Sequence, residues 1–146
     1  MSVFADSSAV VKLYADEAGH REIRALTTMA VSELARVEVP AALWRKHRMG
    51  QLSVASASIL VRAFEADYSP GGGGDTVLIP LAVSSILLEK AAALTSAHGL
   101  RAYDAVQLST ALAARVADPE CSVFAAFDDQ LREAAAKSGF ELLPGS

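Results

Sequence analysis

The chain has 146 residues, enough for one domain around a single core, and 52% of them are apolar, which excludes a disordered polypeptide. Its net charge of −4 argues against a protein that holds nucleic acid by overall charge, so any contact with RNA or DNA needs cations or a local basic face. Cys121 is the sole cysteine, so no intrachain disulfide can form; a small buried apolar residue is the simplest reading of it.

Taken in order, Val3-Phe4-Ala5 reads as a short buried strand, followed by a helix through Ala9–Tyr14 that Ser7 or Ser8 can cap. Gly19 breaks the chain before a helix from His20 to about Thr28. Met29-Ala30-Val31 suits a second buried strand, with Ser32 as cap of a helix through Val37–Met49 that stops at Gly50 and carries Pro40 near its beginning. The apolar spacing of Ile59, Leu60, Ala63 and Phe64 predicts a helix over Ser53–Asp67. Gly71-Gly72-Gly73-Gly74 then reads as a flexible surface loop; Asp75 follows, so the Gly-Lys-Ser/Thr of a phosphate-binding loop is missing.

Val77-Leu78-Ile79 is the third strand candidate, and a long helix over Ser84–His98 ends at Gly99. A helix over Tyr103–Val116, a strand over Ser122–Phe127, a helix to about Ser138 and a last short strand at Phe140–Leu143 complete the pattern. Strands alternating with helices predict an α/β sandwich with a mainly parallel sheet in one domain over residues 1–146. The start of the sequence lacks a basic segment, and the most apolar stretch, Val77–Leu88, is short and interrupted by Pro80, Ser84 and Ser85; both features point to a soluble cytoplasmic protein.

Four acids stand out by position: Asp6 and Asp128 follow apolar strand candidates, and Glu38 and Asp104 lie near helix starts. Singly, each Asp is more simply a helix cap or a first-turn partner of the helix dipole, and Glu38 a solvated helix residue. Together they fall where an open parallel sheet collects strand ends and forms its sites. Carboxylates gathered there repel one another unless cations hold them, and Mg2+ and Mn2+ prefer such oxygen ligands. Two ions about 4 Å apart can clamp the attacking and leaving oxygens of a phosphodiester. His20, His47 and His98 have no ligand-like spacing, and no Ser-His or Cys-His arrangement presents itself.

At these acids the chain resembles the PIN domain family, in particular the VapC-type toxins of bacterial toxin–antitoxin pairs. Phe4-Ala5-Asp6-Ser7-Ser8-Ala9-Val10-Val11-Lys12-Leu13-Tyr14 looks like the first motif of that family. Ser32-Glu33-Leu34-Ala35-Arg36-Val37-Glu38-Val39-Pro40-Ala41-Ala42-Leu43 looks like the second, Leu100-Arg101-Ala102-Tyr103-Asp104-Ala105-Val106-Gln107-Leu108-Ser109 the third, and Phe127-Asp128-Asp129-Gln130-Leu131-Arg132-Glu133-Ala134-Ala135 the fourth. The four occur in order along the chain; the fourth lacks the Thr or Ser that often precedes its acid.

The resemblance implies a five-stranded sheet of order 3-2-1-4-5 flanked by helices, with Asp6 and Asp128 as neighbours. It also implies a Mg2+- or Mn2+-dependent endoribonuclease that hydrolyses RNA by a metal-activated water. Asp6, Glu38, Asp104 and Asp128 carry over as catalytic metal ligands. Asp129 competes with Asp128 for that role, and Glu33 with Glu38. Ser8 matches a hydroxyl residue supporting the site and is equally well read as a cap. A cognate antitoxin protein and a homodimer are the implied partners, with the Ser53–Phe64 helix and the Val10–Tyr14 segment as contact surfaces.

Lys12 and Arg101, each close to an acidic motif, are candidates for contact with an RNA phosphate, against the alternative of a solvated surface charge. Arg45-Lys46-His47-Arg48 reads either as an RNA-holding patch or, more simply, as an exposed helix end favourable to the dipole. Trp44 and Tyr14 are candidates for stacking on a base or packing against a partner, and Trp44 is expected to be at least partly buried. Three alternatives stay open. One is a catalytically silent binding module of the same fold. The second is a phosphatase with an Asp nucleophile, which would want a second Asp where Ser8 stands. The third is a phospho-accepting receiver, which would want an acidic pair where Asp6 stands alone.

Overall fold

A computed structural model describes residues 1–71, 74 and 76–145. Five parallel strands form one sheet in the order β3-β2-β1-β4-β5. They are β1 (Ser2–Ala5), β2 (Thr28–Ser32), β3 (Val77–Leu81), β4 (Cys121–Ala125) and β5 (Glu141–Leu143). The helices are α1 (Ser7–Val11), α2 (His20–Arg24), α3 (Ala35–Arg48), α4 (Val54–Tyr68), α5 (Ser85–His98), α6 (Ala102–Ala117) and α7 (Asp129–Lys137).

The period-two alternation of strand side chains divides the core into two layers. Val3 and Ala5 of β1, Met29 and Val31 of β2 and Val123 and Ala125 of β4 face one side, where Val10, Ile23, Val39, Leu43 and Phe64 of α1–α4 cover them. Phe4 and Phe124 face the other, beneath Leu87, Leu108 and Leu131 of α5–α7. Phe4 and Phe124 are register partners on adjacent strands, with ring centroids 5.5 Å apart. Cys121 is buried among this second set, as its apolar reading anticipates. Burial on both faces explains why β1 and β4 are continuous apolar runs.

The element pattern follows the sequence reading closely, with local corrections. Ser53 and Ser84 cap α4 and α5 by accepting from Ser56 N and Leu87 N. Gly99 ends α5 in the left-handed region at φ +65°, where a residue without Cβ is least strained. The cap of α1, however, is Asp6, whose side chain accepts from Ala9 N; Ser7 and Ser8 are already inside the helix. Helix α2 stops at Arg24, short of the expected Thr28, because Thr28 joins β2 opposite Val77. Ser32 ends β2 rather than capping a helix, and Pro40 sits inside α3 rather than in its first turn. Pro80 lies in β3 at the sheet edge, where a residue without a backbone donor is tolerated. The glycine loop expected before β3 falls partly on residues 72 and 73, and residue 75 follows it; these three lie outside the described residues. Among the described residues no helix is long and apolar enough to cross a membrane.

Candidate active site

All strands point the same way, so their C-terminal ends and the helix starts that follow share one edge of the sheet. Asp6 leaves β1 there. Its backbone N donates to Ala125 O at the end of β4, which fixes the carboxylate at the seam of the two central strands. Asp6 is 4% exposed, and its Oδ1 accepts both from Ala9 N at 3.0 Å and from Ser8 Oγ at 2.7 Å. Ser8 Oγ also accepts from Phe127 N at 3.3 Å, tying α1 to the segment after β4. Ser8 therefore supports Asp6 and does not cap the helix.

Burial pushes the Asp6 carboxyl up to about 7, against the pull of the Ser8 and Ala9 hydrogen bonds; the charges of Asp104 and Glu38 push it further. Asp104, in the first turn of α6, is also raised above the usual carboxylate range, chiefly by burial and then by Asp128, with Glu38 adding a smaller push. Asp104 and Glu38 thus sit near enough to act on Asp6, and Asp128 and Glu38 near enough to act on Asp104. The ends of β1 and β4 lie side by side, as the strand order implied: Ala5 pairs with Ala125, and Ser8 Oγ bridges Asp6 Oδ1 and Phe127 N, the residue before Asp128. Ala126 N bonds to Leu143 O on β5, and the segment carries Asp128 toward Asp104 before α7 begins.

Among the described residues no three His, Cys, Asp or Glu side chains close around the position of one metal ion. The cation that does stand in this edge is Arg101, whose Nη2 lies 3.6 Å from both Asp104 Oδ2 and Asp128 Oδ1. It is 79% exposed, so this pairing is a weak one. Asp128 Oδ2 meanwhile caps α7 by accepting from Leu131 N at 2.9 Å. The donor set suits Mg2+ or Mn2+ in chemistry, being all carboxylate oxygen. It suits an ion that uses one or two carboxylates and completes its shell with water, rather than a cage of four acids. Asp129 and Glu33, the two competing acids, are exposed, and Glu33 lies near enough to Tyr68 of α4 to help push its hydroxyl up, after burial.

Glu38 enters from α3, half-buried, and its Oε1 accepts from Ser7 Oγ at 2.8 Å and from Gln107 Nε2 at 2.8 Å. Sequence reasoning missed both partners. Gln107 was visible as a polar residue within the apolar run of α6, one helical turn beyond Asp104; Ser7 gave no signal beyond its cap-forming type.

Glu38 and Ser8 also line a cleft of about 900 Å3 that continues along α3 past Arg45, Lys46 and Arg48, with Tyr103 at its side. Arg45, Arg48 and Tyr103 are exposed. Lys46 pairs with Glu17, which also holds Lys12 Nζ at 3.2 Å. Lys12 is 8% exposed and its ammonium lies over the Phe127 ring at 4.1 Å, so it props up the wall of the cleft and is not free to reach a phosphate. Trp44 is half-buried, as expected. Tyr14 packs edge-on against Phe64 and donates to Asp67 Oδ2 at 2.8 Å, so its ring serves the core and not a base. In the two expected contact segments, Val10, Val11, Ala57 and Phe64 are buried, while Ile59 is 58% exposed.

No family model matches the chain, and no curated protein does. Among solved structures the chain is similar to the crystal structure of PAE2754 from Pyrobaculum aerophilum, with a TM-score of 0.57 and 18% identity over 98% of this chain and 90% of that one. At that identity the likeness extends to the fold.

Proposed function

We propose that the chain is a Mg2+- or Mn2+-dependent endoribonuclease of the VapC type, a toxin of a toxin–antitoxin pair. The observation that carries this reading is the buried Asp6 carboxylate, hydrogen-bonded through Oδ1 and set beside Asp104 and Glu38, whose charges raise its proton affinity. Burying a carboxylate next to others is costly, and such an arrangement is most useful where a bound cation repays it. The cleft beside it supports an anionic polymer as substrate: in a chain of net charge −4, the exposed Arg45 and Arg48 stand along one wall.

One or two of Asp6, Glu38, Asp104 and Asp128 would hold the ion directly, and the others would reach it through its bound waters. When bound, it supplies positive charge for the phosphoryl oxygens and makes water acidic enough to attack at neutral pH. Asp6 must give up its proton for that binding, and Ser8, donating to Oδ1, favours the ionised form. Arg101 is free to turn from Asp104 and Asp128 to a substrate phosphate, as the exposed alternative anion. In the hydrolysis itself, water oxygen bonds to phosphorus, the bond from phosphorus to the 3′ oxygen breaks, and the proton ends on that oxygen. The products are a 5′-phosphate and a 3′-hydroxyl.

A silent binding module of the same fold is the second reading. Arg101 favours it, because a chain carrying its own cation between two of the acids needs no metal there. Incubation of the purified chain with structured RNA, with and without Mg2+ or Mn2+, separates the two. Metal-dependent cutting that Asp6→Asn and Asp104→Asn both lose is the expected result. Equal cutting by a folded Asp104→Asn protein would eliminate the site, and no cutting under any metal would leave the binding module.

A further inference from the structure

Gln107 belongs to the helical layer on one face of the sheet, Ser7 and Glu38 to the layer on the other. Its amide nevertheless joins them across the sheet edge. Nε2 donates to Ser7 Oγ at 3.0 Å and to Glu38 Oε1 at 2.8 Å, and Ser7 Oγ donates to that same Oε1 at 2.8 Å. The orientation of the amide follows from charge. Turned over, it would set a carbonyl oxygen against a carboxylate oxygen at hydrogen-bond distance with no proton between them.

With the nitrogen so committed, Gln107 Oε1 is left buried and without a donor, in a side chain only 2% exposed. A buried carbonyl in that state lowers stability, and an apolar residue of similar size would remove the penalty. The carbonyl end of this glutamine therefore brings α6 no stabilising contact. What the glutamine adds is a hold on Glu38. Both donors act on Oε1, which restrains the rotamers of the carboxylate and leaves Oε2 outside this pair of hydrogen bonds, in a residue that lines the cleft.

We propose that Gln107 is a positioning residue: together with Ser7 it clamps Glu38 Oε1 so that Oε2 is presented as a ligand oxygen for a divalent cation. This rests on the metal-dependent reading of the site. Partners that orient ligating carboxylates commonly change metal affinity by about 10- to 100-fold.

The experiment measures Mn2+ binding without RNA, by loss of the free-ion electron paramagnetic resonance signal, alongside thermal unfolding. Gln107→Leu is expected to stay folded, with the lost hydrogen bonds to Ser7 and Glu38 offset by relief of the buried carbonyl, and to bind Mn2+ about 10-fold more weakly. Ser7→Ala should weaken binding in the same direction, so the proposal stays testable if the leucine variant fails to fold. The double variant Gln107→Leu/Glu38→Gln should bind no more weakly than Glu38→Gln alone, because the glutamine acts through that carboxylate. Parental binding by Gln107→Leu and Ser7→Ala, while Asp6→Asn and Glu38→Gln lose it, overturns the clamp and leaves the metal site standing. Fully additive losses in the double variant overturn it too. If the parent chain neither binds Mn2+ nor cuts RNA, the ribonuclease reading fails and the clamp falls with it.

Discussion

The two ends of the acidic edge are built differently. At the Asp6–Glu38 end, each carboxylate is gripped on one oxygen by short hydrogen bonds, from Ser8 and Ala9 N in one case and from Ser7 and Gln107 in the other. At the Asp104–Asp128 end the balancing group is an exposed arginine at 3.6 Å from both. The first end has its geometry set by short hydrogen bonds, and burial raises the proton affinity of Asp6 there as it does that of Asp104 at the other. The second relieves repulsion with a side chain that water also solvates. A cation would thus find a rigid half already shaped and a half from which Arg101 must first be displaced.

The largest effect that tests this contrast is at Asp104, the acid that couples the two ends. Asp104→Asn should lower metal-dependent RNA cleavage by more than about 100-fold, beyond what loss of an orienting partner causes, while circular dichroism shows the fold intact. Cleavage rates of the folded variant check it.

Next in size is the response to pH. The folded-state pKa of Asp6 is raised to about 7 from an unfolded value near 3.8, so the folded chain holds this proton more tightly than the unfolded one. Its contribution to stability is therefore fully present below the unfolded value, declines as pH rises, and is gone above about 7. Without metal, melting temperature should fall between those limits, and Asp6→Asn should flatten that part of the profile because asparagine keeps the cap without the charge. Mn2+ affinity should move the opposite way and rise as the proton leaves. Differential scanning calorimetry of both proteins across that range settles the first point, and Mn2+ titrations at each pH the second.

A smaller effect is expected at the exposed end. Arg101→Ala removes the competing cation and should strengthen Mn2+ binding severalfold at low salt, with the gain fading as ionic strength screens it. Unchanged affinity at low salt would mean that Arg101 does not compete for the acids. Smallest is Ser8→Ala, which leaves the Ala9 N cap bond to Asp6 in place. It should cost about 1–2 kcal/mol of stability, read from denaturant unfolding, since the Ser8 bonds to Asp6 and from Phe127 N are both lost while the Ala9 N bond to Asp6 is kept.

The serines show how far residue type carries an expectation. Ser7, Ser8 and Asp6 are all good cap residues, and nothing local ranks them. Asp6 took the cap because β1 ends at Ala5, and both hydroxyls were then free to bind carboxylates. Lys12 shows the same limit for charge. Its position beside an acidic motif suggested a phosphate contact, but Glu17 from the loop after α1 and Phe127 from the segment after β4 enclose it.

Periodicity alone located the strands and helices here, because burial on two faces makes β1 and β4 continuous apolar runs and because caps and glycines mark helix ends locally. Spacing and motif order also singled out Asp6, Glu38, Asp104 and Asp128 as residues of one edge. Which acid feels which, which hydroxyl holds which oxygen, and the reach of Gln107 between the two layers were decided by tertiary structure. Those contacts join positions up to 100 residues apart, and their geometry depends on how layers pack on the sheet, which no local pattern encodes.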